Sequence, residues 1–330
     1  MFNNDVWLKQ NQENIVDPER EIVDAHHHLW PISDMHYDLE NLLADTSSGH
    51  NVVQTVFAEC GAAYRTSGPD HLKCVGETEF VAGRATQADQ MEKPTKIAGI
   101  VAHADLMHNR LDEVLEAHEA SGNGIFKGIR HSGAHEPKPE ALSIRGSGLP
   151  NQFARHDFRR GVARLGELGL TYDTWIFHHQ IADFRELALA VPSTTMILDH
   201  FGTPLGVGQY KDKREEIFEK WKEDIEAVSN CNNVFLKLGG MAMPDNGYRW
   251  DTEDKPPSSD EFVAAQERYY DHAISHFGAD RCIFESNFPV DRLSLSYKTL
   301  WNAFKKIAAK YSEEEQDLLF SGTARKVYRL

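Results

Sequence analysis

The sequence predicts an α/β protein, a single-domain (β/α)8 or TIM barrel with elaborated βα loops, and three observations carry this prediction. The chain has 330 residues, a length within the usual range for one barrel. Short apolar runs alternate with amphipathic stretches, as parallel βαβ units require. Nearly every apolar run ends in polar residues, and in a barrel all these strand ends meet at one mouth. A doubly wound open sheet, the structural alternative, lacks such a common mouth.

Eight apolar runs are the predicted strands, at residues 21–30, 52–60, 96–106, 126–133, 171–180, 195–202, 234–241 and 281–290. Seven stretches with apolar residues at three- and four-residue steps are predicted helices, at 78–91, 110–120, 153–169, 182–191, 214–229, 260–277 and 296–311. Ser-Ser-Asp at 258–260 supplies N-caps and Gly278 a helix stop. We assign residues 1–20 to a polar lead-in and 21–330 to the barrel domain.

Three longer connections follow strands and are rich in Pro, Gly and Ser. They lie at 61–77, 132–152 and 241–259. Loops that follow barrel strands overhang the mouth, so these three are candidate substrate lids.

Composition excludes several classes of protein. The formal net charge is −16, 41% of the residues are hydrophobic, and the mean hydropathy is −0.51. No apolar run has the length of a membrane-spanning helix, and clustered Lys and Arg for a phosphate backbone are missing. The four cysteines have no paired spacing, and the amino terminus has no basic segment followed by an apolar core. We therefore expect a soluble, cytoplasmic protein that binds neither nucleic acid nor membranes.

The stretch VDAHHHLWP at 23–31 places three histidines at the end of the first strand. Because strand side chains alternate, Asp24, His26 and His28 should share one face, while His27 faces the helices. Two imidazoles two residues apart on one face can bind a single divalent ion. Alone, such a pair is more often polar filler at a strand end.

Other histidines end other strands. His178 or His179 ends the fifth run and His200 ends the sixth. A closed barrel would bring the first, fifth, sixth and eighth strands around one cavity, which favours a shared site over polar filler.

The ordered set D-A-H-H-H-L-W, HHQ, LDHFG and FESNFPVD resembles the amidohydrolase superfamily, specifically the amidohydrolase-2 branch with sugar lactonases and 2-pyrone-4,6-dicarboxylate lactonase. The resemblance spans about residues 21–330. It implies a barrel hydrolase in which His26, His28 and His178 hold one divalent metal, zinc first among the expectations, or none. It also implies that His200 orients substrate or water. Members of this branch are known with zinc and without a required metal, and they often form dimers.

One departure concerns the eighth strand, which in this branch usually ends in an Asp. Here the segment reads Glu285-Ser286-Asn287-Phe288-Pro289. An amide has no accessible pKa near neutrality, so Asn287 can position water but cannot take its proton. The base must be another group, and the candidates are Glu285, Glu59, Asp291 and His200. Each carboxylate has the alternative role of a salt-bridged partner.

Basic and aromatic residues at strand ends are candidate substrate ligands. Arg130 and His131 end the fourth run, and Arg suits a planar carboxylate. Lys237 on the seventh run and Trp30 on the first are further candidates, with ion pairing and core packing as alternatives. The predicted substrate is a small polar or anionic molecule with a carbonyl.

The leading functional hypothesis is opening of a lactone or related cyclic ester by activated water. Metal-dependent non-oxidative decarboxylation or hydration of an aromatic or muconate-type acid is the second. A catalytically silent barrel that binds a ligand is the third, and the Asn287 substitution favours it.

Overall fold

The computed structural model describes residues 4–32, 34–91 and 94–330. Eight parallel strands form one sheet in the order β1 to β8, so that neighbours in sequence are neighbours in space. The strands are β1 Glu21–His27, β2 Asn51–Ala58, β3 Lys96–Ala102, β4 Phe126–Arg130, β5 Thr171–Thr174, β6 Met196–Leu198, β7 Val234–Leu238 and β8 Cys282–Phe284. Seven of them fall within predicted runs, and β2 begins one residue before its run. The (β/α)8 barrel prediction is confirmed.

The barrel closes just beyond the end of β8. The N–H of His28 donates to the carbonyl of Phe288 at 2.7 Å, and the N–H of Asn287 donates to the carbonyl of His26 at 2.9 Å. These two bonds join the first strand to the segment after the last, so the histidine-rich stretch and the ESNFP segment lie side by side.

All seven predicted helices are present, with ends that shift by a few residues. They are α3 Val75–Gln90, α4 Leu111–Ser121, α5 His156–Glu167, α6 Ile181–Ala190, α7 Arg214–Ser229, α8 Ser259–Phe277 and α9 Tyr297–Ala308. The predicted caps of α8 are confirmed, because Ser258 forms a capping box with Glu261 and Gly278 ends the helix. No helix in the described ranges combines the length and the apolar character needed to cross a membrane.

Four helical segments escaped prediction because each is short. They are α1 Asp5–Leu8, α2 Leu39–Thr46, α10 Glu313–Asp317 and α11 Thr323–Tyr328, and a π-helical turn at Leu318–Gly322 joins the last two. Eight residues give only two helical turns of periodicity, too few to distinguish α2 from a loop by pattern alone.

Two apolar layers alternate along the strands. In β7, Leu236 and Leu238 face the helices, whereas Phe235 belongs to a smaller cluster that includes Val327 and Tyr328 of α11. The carboxy-terminal helix therefore packs against the apolar floor of the barrel interior. Inward positions further along the strands are polar, and they form the site described below.

The predicted lead-in, 1–20, packs against the helical layer, and its first three residues lie outside the described ranges. Its Glu13 carboxylate accepts hydrogen bonds from the Ser259 hydroxyl at 2.6 Å and from the Asn302 amide at 2.9 Å. The division into a lead-in and a barrel domain stays a prediction.

We expect a buried histidine of the helical layer to make stability depend on pH. Burial lowers the pKa of His118 to about 4, and its neutral ring accepts from Thr78 at 2.8 Å while donating to the His103 carbonyl at 2.9 Å. As the pH falls below about 6.5, His118 is protonated in the unfolded chain before it is protonated in the folded one. The free energy of unfolding therefore decreases between about pH 6.5 and 4, by up to roughly 1.4 kcal/mol per pH unit. Urea unfolding at several pH values should show that the free energy of unfolding of His118→Gln depends less on pH than that of the wild type. The same pH dependence in both proteins would contradict this assignment.

Candidate active site

A cavity of about 380 Å³ opens at the carboxyl ends of the strands. Its lining residues come from many strand ends and loops, and they are His28, Trp30, Met35, Glu59, Cys60, Arg130, Ser132, Ser143, Ile144, Ser147, Trp175, His200, Met243, Asn287, Val290 and Leu293. The loops 132–152 and 241–259 contribute to the lining, as predicted, whereas the loop 61–77 does not.

A fully buried ammonium group lies beneath this cavity. Lys237 projects inward from the middle of β7, and its Nζ lies 2.9 Å from Asp173 Oδ2 and 3.1 Å from Asp199 Oδ1. The two carboxylates raise the pKa of Lys237 against the opposing effect of burial. Tyr328 adds a hydrogen bond to Asp173 Oδ2 at 2.5 Å. Buried charges need such partners, because an unpaired one costs several kcal/mol.

Arg130 connects this buried cluster to the cavity. Its Nε donates to Asp199 Oδ2 at 2.8 Å and its Nη1 to Glu59 Oε1 at 3.1 Å. The Lys237 ammonium and the Arg130 guanidinium keep the pKa of Asp199 well below its usual range, although burial alone would raise it. Arg130 lines the cavity, and among the described residues its Nη2 has no protein partner. One edge of the guanidinium is therefore available to a ligand.

His26 and His28 converge as the sequence predicts. Their Nε2 atoms lie 3.2 Å apart. The Lys237 ammonium can only donate, so the 3.1 Å contact makes His26 Nδ1 an acceptor and leaves its proton on Nε2. That proton points at His28 Nε2, and His28 Nδ1 then donates to the Ala58 carbonyl at 2.9 Å. Burial lowers the pKa of both imidazoles, so both are neutral near pH 7.

His200 is paired with a carboxylate. Its Nδ1 lies 2.6 Å from Glu285 Oε1, and its backbone N–H donates to the same oxygen at 3.2 Å. Glu285 is fully buried, whereas His200 lines the cavity. Because Nδ1 donates to Glu285, the lone pair of a neutral His200 is on Nε2. The backbone at His200 has a φ of 54°, in the left-handed region, which marks the sharp turn after β6.

Asn287 lines the cavity beside these histidines and is held from behind. Its Nδ2 donates to Asp291 Oδ1 at 2.9 Å, and Asp291 Oδ2 accepts the N–H of Ala242 at 3.1 Å. Asp291 is fully buried, and burial raises its pKa to about 8. The Asn287 amide oxygen is thereby turned to where it can accept a hydrogen bond from a ligand.

Residues 23–330 match the family described as amidohydrolase. The chain belongs to the amidohydrolase family. It is 29% identical to the uncharacterized protein y4mH of Sinorhizobium fredii, over 94% of this chain and 98% of that protein. It is 26% identical to the L-fucono-1,5-lactonase of Burkholderia multivorans, over 79% of this chain and 83% of that enzyme. A zinc-bound amidohydrolase from Burkholderia multivorans superposes with a TM-score of 0.70 at 22% identity, covering 94% of this chain and 99% of that one.

The donor set of this amidohydrolase fits a divalent metal. Two nitrogens at roughly 2.0–2.1 Å from a tetrahedral zinc lie roughly 3.3–3.4 Å apart, close to the 3.2 Å between the Nε2 atoms of His26 and His28. Metal binding requires the other tautomer of His26, in which the ring proton is on Nδ1, 3.1 Å from the acceptor Glu285 Oε2. Ligand atoms of His26, His200 and Glu285 also lie within 4.8 Å of one another. Imidazole and carboxylate are the donors that zinc accepts in proteins.

His178 is the predicted ligand that the amidohydrolase structure does not bring to this group. Its Nδ1 accepts the N–H of Leu205 at 3.3 Å and its ring packs edge-on against Tyr210. The reason is that β5 ends at Thr174, so the chain turns before His178 and Trp175 takes the cavity position. His179, the other candidate, is exposed and bonds to the His135 carbonyl at 3.2 Å.

Two predicted substrate ligands also lie away from the cavity. His131 faces the helical layer, where its Nδ1 accepts the N–H of Leu106 at 3.2 Å and its ring contacts Phe158. Lys237 is fully buried in the ion cluster below the cavity. Of the four predicted substrate-binding residues, Arg130 and Trp30 line the cavity.

The strand-face prediction for β1 is half correct. His27 does face the helical layer, where it contacts Phe57 edge-on. Asp24 does not share the face of His26, because its Oδ2 accepts the Tyr297 hydroxyl from α9 at 2.9 Å. An irregularity in the pairing with β2 between Asp24 and His27 interrupts the strict alternation.

Several residues that support the site were not predicted. Asp173 and Asp199 sit inward beside Lys237, and strand alternation applied to the fifth and sixth runs could have found both. Glu77 was hidden inside a helix: its Oε1 accepts the N–H groups of Cys60 at 3.1 Å and Ala62 at 2.7 Å, which fixes the turn that carries Glu59. No spacing in the sequence links α3 to that turn.

Lys237→Met should destabilise this amidohydrolase by about 3–5 kcal/mol, because Asp173 and Asp199 would lose their buried partner. Chemical denaturation of the wild type and of each variant in the same buffer measures the loss in free energy of unfolding. Lys220→Met, which removes an exposed ion pair with Asp224 on α7, should cost less than about 1 kcal/mol. Equal losses for the two lysines would refute the central role of Lys237.

Proposed function

We propose that this amidohydrolase opens a lactone or related cyclic ester with a water molecule activated by His200. The observation that carries the proposal is the 2.6 Å contact between His200 Nδ1 and Glu285 Oε1. A buried carboxylate that holds one ring nitrogen orients the imidazole and stabilises its protonated form. The other nitrogen can then accept a proton from water at the edge of the cavity.

His200 alone can carry the proton that moves from water to the leaving group in this reaction. Water adds through its oxygen to the ester carbonyl while His200 Nε2 takes one water proton. The ring C–O bond then breaks, and the imidazolium returns that proton to the leaving alkoxide. The product is a hydroxy acid, and at neutral pH its carboxyl group releases one proton to solvent.

Arg130 and Asn287 are suited to the rest of the chemistry. The unpaired Nη2 of Arg130 can donate to the carbonyl oxygen as negative charge develops on it. The Asn287 amide oxygen can accept a hydrogen bond from the attacking water and so orient it. Glu59, a carboxylate of the cavity lining, is held by Arg130 at 3.1 Å and balances the guanidinium charge.

A metal at this site would be held by His26 and His28, which leaves His200 Nε2 available as the base. A bound zinc ion would polarise the carbonyl and lower the pKa of water. The zinc-bound Burkholderia relative supports this assignment, and the similarity to an L-fucono-1,5-lactonase supports lactone hydrolysis.

Loss of the proposed base should abolish most of the activity. His200→Gln removes the proposed proton acceptor at similar size, so we expect kcat on a panel of lactones to fall by about 100-fold or more. The assay follows proton release with a pH indicator. His179→Gln, an exposed neighbour outside the cavity, is the matched control and should keep wild-type activity.

Two outcomes would contradict the proposal. One is full activity in His200→Gln, and the other is no turnover of any lactone by the wild type with zinc or manganese added. Release of carbon dioxide from hydroxybenzoates by that same preparation would instead favour the decarboxylase hypothesis.

Metal content tests which of two predicted ligands, His28 or His178, binds the metal. We expect zinc in the wild type and in His178→Gln, and a loss of most bound zinc in His28→Gln, because His28, unlike His178, converges on His26. Elemental analysis of protein purified without a histidine tag measures this. Loss of zinc in His178→Gln with retention in His28→Gln would show that the ligand set is wrong.

A further inference from the structure

The cavity has a polar base and a predominantly apolar wall. The polar groups that the proposed chemistry needs, His28, Arg130, His200 and Asn287, project from strand ends at its base. The remaining wall is predominantly apolar, and its main members are Trp30, Met35, Ile144, Trp175, Met243 and Leu293. A ligand whose carbonyl reaches the base must therefore place the rest of its body against apolar side chains.

The polar atoms carried by this wall are largely committed to protein partners. The indole N–H of Trp175 donates to Thr203 Oγ1 at 2.9 Å, and that of Trp30 lies 3.5 Å from the Cys60 carbonyl. The Ser132 hydroxyl donates to the Trp175 carbonyl at 3.3 Å and accepts the N–H of Ala134 at 3.2 Å. These three groups have little capacity left for the hydroxyls of a ligand, so the hydroxyls of Ser143 and Ser147 are the remaining hydrogen-bonding groups of the wall.

The apolar wall is also held in place. Both carboxylate oxygens of Asp245 accept backbone N–H groups of the loop 132–152, from Ser143 at 2.7 Å and Ile144 at 2.9 Å. Within the same loop, a Cβ added to Gly148 would lie 2.3 Å from the Gly133 carbonyl oxygen, so the chain packs there backbone to backbone. The position of Ile144 over the cavity is therefore fixed by the fold of two loops.

We propose that the substrate is a lactone or cyclic ester with an aromatic or otherwise apolar ring body, and not a polyhydroxylated sugar lactone. This inference rests on the proposed function and names its substrate class. Aromatic rings gain from burial against Trp and Met side chains. Each sugar hydroxyl buried without a partner weakens binding by about tenfold or more.

Turnover is compared on 3,4-dihydrocoumarin and L-fucono-1,5-lactone, with each rate divided by its hydrolysis rate in buffer alone. We expect the corrected kcat/KM to favour the aromatic lactone by at least about 100-fold, since this predominantly apolar wall offers few partners to the three hydroxyls of the sugar lactone. A corrected preference for the sugar lactone would overturn the inference while leaving lactone hydrolysis itself intact.

Binding tests the inference without turnover. Calorimetry with the ring-opened acids, 3-(2-hydroxyphenyl)propanoate and L-fuconate, should show tighter binding of the aromatic acid. If neither lactone is hydrolysed but this order holds, the proposed function fails and the assigned ligand class stands. Equal or reversed affinities, or no binding of either acid, would overturn the ligand class.

A substitution in the apolar wall tests whether this wall causes the preference for the aromatic lactone. Ile144→Asn adds a hydrogen-bonding group above the cavity, and we expect it to reduce the aromatic-to-sugar ratio of corrected kcat/KM by about tenfold. Ile32→Asn makes the same exchange at a fully exposed position and should leave the ratio unchanged. An unchanged ratio in Ile144→Asn would show that this wall does not select the substrate.

Discussion

The arrangement of the site depends on one buried ammonium group. Lys237 joins residues from three separate regions of the barrel, Asp173 of β5, Asp199 after β6, and His26 of β1. None of these groups could be buried alone at an acceptable free energy, so the cluster is stable only when the strands hold all of its members in register. The register of the barrel strands and the geometry of the site therefore depend on the same buried cluster.

The ammonium group also sets the protonation pattern of the first-strand histidines. By donating to His26 Nδ1, it directs the only proton of His26 toward His28, and His28 in turn donates to Ala58. Glu285 Oε2 lies 3.1 Å from His26 Nδ1 yet accepts no hydrogen bond among the described residues, in agreement with this order. The two histidines therefore form a neutral pair, and Glu285 is free to serve His200 with its other oxygen.

The sequence was sufficient for the barrel because strands and helices of this size carry their own periodicity. It was also sufficient for the pairing of His26 with His28, which depends on local alternation. It could not place His178 away from the His26–His28 pair, because the apolar run at 171–180 does not reveal that the strand ends at Thr174 and the chain turns. It put Asp24 on the wrong face of β1, because the pairing irregularity between Asp24 and His27 breaks the alternation on which that prediction relied.

The charges around Asn287 explain why an amide suits this position, where the family resemblance led us to expect an acidic residue. Asp291 stands directly behind Asn287 and is fully buried, with a pKa raised to about 8. A carboxylate at 287 would repel negative charge on Asp291 and would leave Asp291 Oδ1 without the donor that the Asn287 amide supplies. The amide avoids this conflict and donates to Asp291. The proton-accepting role is then left to a group whose carboxylate partner lies on its far side, and His200, backed by Glu285, meets that condition while lining the cavity.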